Sequence, residues 1–365
     1  MVIFIRKFAG LMVFVAICIT TYALQEYSIT HQLNLSNLFV GDGLLLLTAI
    51  RDFVNGIPLE NVGPSKGVFL LYALPISTGH MQWVFVTNLA IAIYGVKRFG
   101  VGVFLMFPFL LLSLALPSKD LIVTVLTLEW GRALIKGRFG IALAIAALMY
   151  VFRDGASIIA AACMLALWLS DRYSSKRMVL AVVVLISVIT FSFSLGYLSS
   201  FPVFSRVAQV YQMSSHLPCC APPYYFARVL GNSTNLAFRQ MFIDELGGLS
   251  ALAFTYFVSG VFIIQALLLA SKSLIRDEQN REVQLVGFAL FVSLAIMSLS
   301  PHVQSRYLVP YAALFLYVAK GTYSHKRWSA YFLVSLVIAF AGIFINRLAP
   351  YPLPPVPVVQ KINPL

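Results

Sequence analysis

Charged residues stand singly or in pairs at the ends of long apolar runs, and the chemistry open to this sequence depends on them. Two pairs set opposite charges side by side, Lys119-Asp120 and Arg153-Asp154. Adjacent residues on a helix do not face each other, so each member of a pair can reach a partner elsewhere. Charge near a bilayer is costly unless it faces a cavity or a partner, which makes these residues candidates for a binding site. The competing interpretation is that the cations extend to lipid headgroups.

Arginines in the same setting predict an anion-binding site. A guanidinium holds phosphate oxygens bidentately and keeps its charge in a partly dry site. A lipid-linked diphosphate suits such a site. In a glycosyl donor the diphosphate is also the leaving group, and cationic groups would stabilise its developing charge. The candidate residues for binding diphosphate and glycan are Arg51, Lys119, Asp120, Arg153, Arg206, Arg228, Arg239 and Arg306.

Glycosyl transfer also needs a group that takes the proton from the acceptor hydroxyl. Asp42 is the best carboxylate candidate, because the glycines on either side let other groups approach closely. His302 is the rival base, since it lies one helical turn before Arg306 and on the same face. Two alternatives stay open. Residues 41–43 can be a simple turn or helix cap, and His302 can be an interfacial histidine without a role.

Composition indicates that lipid surrounds much of the chain. Of 365 residues, 60% are apolar and only 11% are charged, which is more apolar surface than a soluble domain of this size can hide. The net charge of +13 comes from basic residues that occur singly or in pairs, so anionic membrane lipids are expected partners and nucleic acid is not. No cleavage site follows the apolar segment 8–24, which predicts a first membrane helix.

Apolar windows predict an all-α, polytopic membrane protein with about eleven spans in a single transmembrane domain covering residues 1–365. Lys and Arg are concentrated in the short loops on one side, which predicts a cytoplasmic N-terminus. Residues 25–80 form an external loop with two interfacial helices, and residues 200–248 form one large external loop. The predicted spans are 8–24, 80–96, 101–116, 121–135, 139–152, 155–169, 178–198, 249–270, 283–299, 307–318 and 329–345.

The chain resembles the Wzy-type polymerases of bacterial O-antigen and exopolysaccharide repeat units, which are integral membrane glycosyltransferases like those of the GT-C type. Its organisation is similar along most of its length, with one long, arginine-rich external loop. Three stretches add to the likeness: LFVGDGLLLLTAIRDFVNG with Asp42, LALPSKDLIVTVL with the later YVFRDG, and HVQSRYLVPYAAL. The first is similar to the external loop of GT-C glycosyltransferases, whose acidic residue serves as base.

This resemblance implies a role in lipopolysaccharide or exopolysaccharide synthesis at the bacterial inner membrane, with the active site facing the periplasm. The donor and the acceptor would both be undecaprenyl-diphosphate-linked oligosaccharides, and a chain-length regulator protein is a possible partner. The donor glycan would be transferred at its reducing end onto the non-reducing end of the acceptor repeat unit. Asp42 stands nearly alone where GT-C loops carry paired acids, and no P-loop, dinucleotide, H-E-x-x-H or C-x-x-C motif is present. We therefore expect neither a metal nor a cofactor.

Three other functions are compatible with the same residues. A GT-C glycosyltransferase would add one sugar from a polyprenyl phosphate, with Asp42 as base. An O-antigen ligase would use a catalytic histidine, either His216 or His302. A flippase for the same lipid would usually show two similar halves and charged residues deep within its spans, and the sequence shows neither. A purely structural membrane protein would leave the external arginines unexplained.

Overall fold

Helices form every regular element that the computed structural model describes, which covers residues 2–30, 41–56, 66–80, 82–170, 251–275, 280–298 and 305–348. The all-α prediction is therefore confirmed for this part of the chain. The predicted span 178–198 and the whole of the loop 200–248 lie outside it. In chain order the helices are α1 Val2–Thr30, α2 Gly41–Val54, α3 Lys66–Ser77, α4 Gln82–Phe99, α5 Val101–Leu105, α6 Phe109–Leu112, α7 Lys119–Ile135, α8 Phe139–Phe152, α9 Asp154–Ser170, α10 Ala251–Ile275, α11 Arg281–Ser298, a 3₁₀ helix Ser305–Leu308, α12 Val309–Ala319 and α13 His325–Leu348.

Two helical stretches are long and apolar enough to cross a bilayer, Ala9–Tyr27 in α1 and Phe254–Leu274 in α10. Only 17% of the first stretch is buried inside the protein, so most of its apolar surface faces outward. Five shorter apolar helices accompany them, and they are Lys66–Ser77, Phe139–Phe152, Gly155–Leu165, Glu282–Leu294 and Val309–Ala319. These lengths support membrane association, whereas eleven crossings remain a prediction.

Side-chain contacts at the two ends of α7 show how this helix lies against α4. Near the end of α7, Glu129 Oε1 accepts hydrogen bonds from Arg98 Nε at 3.1 Å and from Tyr94 OH at 2.7 Å, both on α4. The ion pair between Glu129 and Arg98 therefore joins α7 to α4. At the start of α7, Tyr72 lies 3.2 Å from the Ser118 carbonyl and also bonds to α4. The start of α7 thus lies near Asn88, and Glu129 lies near Tyr94 and Arg98. Because contacts later in α7 fall later in α4, the two helices run in the same direction.

The predicted span 101–116 is not one continuous helix. Helix α5 ends at Leu105 and α6 covers only Phe109–Leu112, with Pro108 at its N-cap. Proline has no backbone N–H and cannot continue the preceding helix. Residues 113–118, between α6 and α7, are not helical and are all buried, so this stretch of backbone passes through the protein interior.

Two side-chain amides satisfy the carbonyl groups of this broken segment. Gln25 of α1 donates from Nε2 to Leu112 O at 2.9 Å. Asn88 of α4 has its Nδ2 2.9 Å from the carbonyls of Leu114 and Leu116, and 3.3 Å from a third, Ser113 O. Buried carbonyl groups are costly when unpaired, so these amides stabilise a stretch that cannot pair within its own helix. Non-helical backbone at membrane depth is tolerated only when it is enclosed in this way.

Glycine allows α7 to pack closely against α12. A Cβ atom at Gly131 would lie 2.4 Å from Leu314 Cδ1, nearer than atoms can approach. We expect Gly131→Ala to lower the free energy of unfolding by about 1–3 kcal/mol, because the overpacked interface must shift. Thermal unfolding in detergent measures the change. Gly140→Ala is the matched control, since nothing lies within 4 Å of a Cβ there.

The double variant Gly131→Ala/Leu314→Ala separates a steric effect from a backbone effect. If the clash is the cause, the two substitutions together cost less than the sum of their separate costs. Additive costs would contradict close packing at this contact.

Candidate active site at one end of the helix bundle

Arg153 is the single residue that connects α8 with α9. Helix α8 ends at Phe152 and α9 begins at Asp154, while Arg153 itself is extended, with φ −161° and ψ 107°. Its carbonyl accepts the N–H of Ala156 at 3.1 Å and that of Ser157 at 3.4 Å, which satisfies the first turn of α9. The Cα atom of Arg153 is therefore fixed by α8 and α9.

The guanidinium of Arg153 forms a buried ion pair with Asp120. Nη1 donates to Asp120 Oδ1 at 2.8 Å, and the two side chains are 14% and 5% exposed. The guanidinium also lies over the ring of Tyr307, 4.1 Å from its centroid. A charge-assisted hydrogen bond and a cation–π contact together fix the plane of the fork. The sequence had placed Asp120 and Arg153 in separate charged pairs, and the structure joins them across 33 residues.

Side chains of α3 and α4 contact the turn before Asp120. Ser118 is the N-cap of α7 in an extended conformation, and its side chain makes no capping bond. The hydroxyl of Tyr72 bonds to Asn88 Oδ1 and lies near Ser118 O, so α3 and α4 both contact this turn. Thr124 Oγ1 donates to Asp120 O at 2.7 Å. Asp120 lies in the first turn of α7, where the helix dipole favours a negative charge.

The ion pair lies below the rim of the bundle. Asn88, which bonds beside Ser118, comes six residues after the start of α4 at Gln82. At 1.5 Å per residue this is a depth of about 9 Å. The turn before Asp120 therefore packs beside the second turn of α4, and the ion pair next to this turn is buried.

Two tyrosines, one in the 3₁₀ helix and one in α12, contact the α8–α9 junction at Arg153. Tyr307 contacts Arg153, and Arg306 directly precedes it in the Ser305–Leu308 helix. One turn later, the buried Tyr311 donates from its hydroxyl to Ala156 O at 3.1 Å. The segment that contains Arg306 therefore lies beside Arg153, which agrees with a shared site.

The structure gathers some of the predicted residues and not others. Lys119, Asp120, Arg153 and the backbone of Arg306 lie at one end of the bundle. Arg51 is in the last turn of α2, a helix that packs on α3, and no described hydrogen bond or ion pair joins it to this cluster. Asp42 lies in the first turn of α2, so residues 41–43 begin a helix. The part of the chain that the structure describes does not include the Asp42 side chain, the Arg306 side chain, Arg206, Arg228, Arg239 or His302.

Sequence reasoning missed the neutral residues that support the ion pair. Asn88 is a polar residue in the apolar run VFVTNLAIAIY, and it is fully buried. A buried amide must find hydrogen-bond partners, so its position in that run was a usable signal. Tyr307 gave a weaker signal, because an aromatic residue beside an arginine is common at membrane interfaces.

Comparison of the chain with protein-family models, with curated proteins and with solved structures finds no match.

Proposed function

We propose that the protein is a polysaccharide polymerase of the bacterial inner membrane. It transfers an undecaprenyl-diphosphate-linked glycan onto the non-reducing end of another lipid-linked repeat unit, at the periplasmic face. The buried pair of Asp120 and Arg153, with Tyr307 against the guanidinium, is the observation that supports this proposal. It gives one end of the bundle a buried arginine of fixed orientation.

Arg153 is oriented to bind a second anion. Its contacts with described residues use Nη1 and one face of the guanidinium, and the fork has further N–H groups on Nη2 and Nε. Asp120 fixes the fork, so less conformational freedom is lost when a phosphate binds. Lys119 and Arg306 add positive charge at the same end of the bundle.

The same arrangement suits the departure of a diphosphate. Negative charge grows on the leaving oxygen as the glycosidic bond to the carrier breaks. Pre-oriented cations in a partly dry site stabilise that charge without reorganising. The first backbone N–H groups of α7 lie beside Asp120 and can contribute in the same way.

The proposed topology puts this end of the bundle on the periplasmic side and the N-terminus in the cytoplasm, with eleven spans. Two features support it. The Asp120–Arg153 pair and the Arg98–Glu129 pair lie at opposite ends of α7, which matches the predicted alternation of sides. Lys and Arg cluster at the second end, in the last turn of α4, in the loop after α7, and around the loop between α12 and α13. The external loops 25–80 and 200–248 would cover the site and supply the base, Asp42 or His302.

A glycan ladder tests the proposal. Purified protein in detergent is supplied with a lipid-diphosphate-linked repeat unit, first without added metal and then with EDTA. We expect products of increasing length that survive EDTA, and we expect Asp42→Ala or His302→Ala to abolish them. Arg138→Ala and His325→Ala are matched controls, because both residues are exposed at the other end of the bundle. If the parent protein forms no lengthened glycan, the polymerase proposal is contradicted.

A transporter of the same lipid is the second candidate, and the broken segment 101–116 favours it. Interrupted helices with buried, non-helical backbone are a recurrent feature of transporter binding sites. The discriminating result is movement of the lipid across reconstituted vesicles with no change in glycan length. A single added sugar from a polyprenyl phosphate would instead indicate a GT-C glycosyltransferase, and transfer to a non-repeat acceptor would indicate a ligase.

A further inference from the structure

A cavity lies between α10 and the first turns of α13, away from the Asp120–Arg153 pair. Its volume is about 350 Å³, and it opens to the outside of the bundle. Its wall combines aromatic rings with polar groups, and the lining residues are Phe262, Gln265, Trp328, Ser329, Phe332 and Leu333.

Two buried polar atoms in this wall lack a hydrogen-bond partner among the described residues, Gln265 Oε1 and Trp328 Nε1. Gln265 is 1% exposed, and its Nε2 donates to Trp328 O at 3.1 Å. That bond fixes the orientation of the amide, so that Oε1 is the atom without a hydrogen bond. A buried polar atom without a partner is costly, so two of them on residues that line one cavity point to a ligand group that enters between these side chains and completes both.

The chemistry of the two atoms selects the ligand group. The indole N–H of Trp328 only donates, and the amide oxygen of Gln265 only accepts. A phosphate oxygen accepts but does not donate, and an ammonium group donates but does not accept. A single hydroxyl group does both, whereas a zwitterionic headgroup would have to bring its ammonium and its phosphate to the wall together, so a ligand that bears hydroxyl groups fits the two atoms best.

The surroundings of the cavity match a lipid headgroup at the edge of a bilayer. On one side α13 exposes an apolar face, with Leu333 60% and Val337 68% exposed. On the other side, the first turn of α13 exposes Lys326 and Arg327. Cations beside an apolar helix face attract anionic phospholipid. In the proposed topology this is the cytoplasmic end.

We propose that this cavity binds a phospholipid with a phosphoglycerol headgroup. Its glycerol hydroxyl groups bond to Gln265 Oε1 and Trp328 Nε1, while its phosphodiester lies near Lys326 and Arg327 and its acyl chains follow the apolar face of α13. The proposal requires that the protein resides in a membrane and is independent of the reaction at the other end.

Lipid retention tests the site. Full-length protein is taken from vesicles that contain equal amounts of phosphatidylglycerol, phosphatidylethanolamine and phosphatidylcholine, and the lipids that stay bound are measured by native mass spectrometry. We expect phosphatidylglycerol to be enriched. Trp328→Phe keeps the ring and removes the N–H, so it should weaken this retention about five- to tenfold, as expected for one hydrogen bond.

The control Trp83→Phe changes an exposed indole on α4 and should retain lipid as the parent protein does. Gln265→Leu should lose the same selectivity, and a thermal unfolding curve for each variant shows whether it is folded. Equal retention of all three lipids, or phosphatidylglycerol retention unchanged in a folded Trp328→Phe protein, would overturn the proposal. Glycan transfer measured on the same variants separates this result from failure of the polymerase proposal, because the cavity does not adjoin Arg153.

Discussion

Arg153→Ala is expected to destabilise the protein by about 3–5 kcal/mol and to abolish its activity. Removing Arg153 takes the guanidinium away from the Asp120 carboxylate, which stays charged in the interior. The side chains are 14% and 5% exposed, so solvent screens little of this cost. Thermal unfolding in detergent measures the stability, and the glycan ladder measures the activity.

A double variant separates the structural role of the pair from its role toward the substrate. Asp120→Leu/Arg153→Met replaces both charges with apolar groups of similar length, which is often neutral or stabilising for a buried pair. We therefore expect the double variant to recover most of the lost stability while transfer stays at least about a hundredfold below that of the parent, as for loss of one electrostatic group in an active site. Recovery of transfer together with stability would show that the pair only supports the fold.

The ion pair at the opposite end of α7 supplies a matched control. Arg98 and Glu129 are joined at 3.1 Å, but their side chains are 45% and 20% exposed. An exposed pair contributes about 0–1 kcal/mol, so Arg98→Ala should leave unfolding nearly unchanged. A loss as large as that of Arg153→Ala would contradict the difference in burial.

Asn88→Asp is expected to cost at least about 3 kcal/mol, although the two side chains have the same shape. The carboxylate cannot donate, so the carbonyls of Leu114 and Leu116 lose their hydrogen bonds, each at about 1–3 kcal/mol. The new negative charge would also be buried among carbonyl oxygens. Yield and thermal unfolding in detergent measure the effect.

Asn55→Asp is the control, because the same substitution there falls on an exposed residue at the end of α2 and should stay within about 0.5 kcal/mol. An Asn88→Asp protein that unfolds at the parent temperature would mean that the amide does not hold the broken segment.

The sequence was sufficient to select Asp120 and Arg153, because a charge at the end of an apolar run is informative by itself. Their pairing could also have been anticipated. Helices α7 and α8 form a hairpin around Gly137, whose φ of 69° permits the sharp turn. Residue 120 comes 17 positions before Gly137 and residue 153 comes 16 after it. Positions equally far from the turn of a helical hairpin lie side by side.

The break at 101–116 escaped prediction for a physical reason. Hydropathy averages the side chains and does not register a lost backbone hydrogen bond, so FLMFPFLLL scores as a span despite Pro108. The partners that make the break tolerable, Gln25 and Asn88, belong to other helices and depend on tertiary packing. The loops with Arg206, Arg228, Arg239 and His302 lie outside the described residues, so those assignments stay predictions.

The broken segment also fixes an order of events during synthesis. Its carbonyls find their donors on α1 and α4, and both Gln25 and Asn88 come earlier in the chain. A chain emerges from the ribosome N-terminus first, so the donors are available before the acceptors. Lipid offers no donor to an unpaired carbonyl, which means that residues 101–116 become stable only against helices that have already been made. Helices α1 and α4 therefore supply the donors for the segment that follows, and a chain that lacked them could not form it.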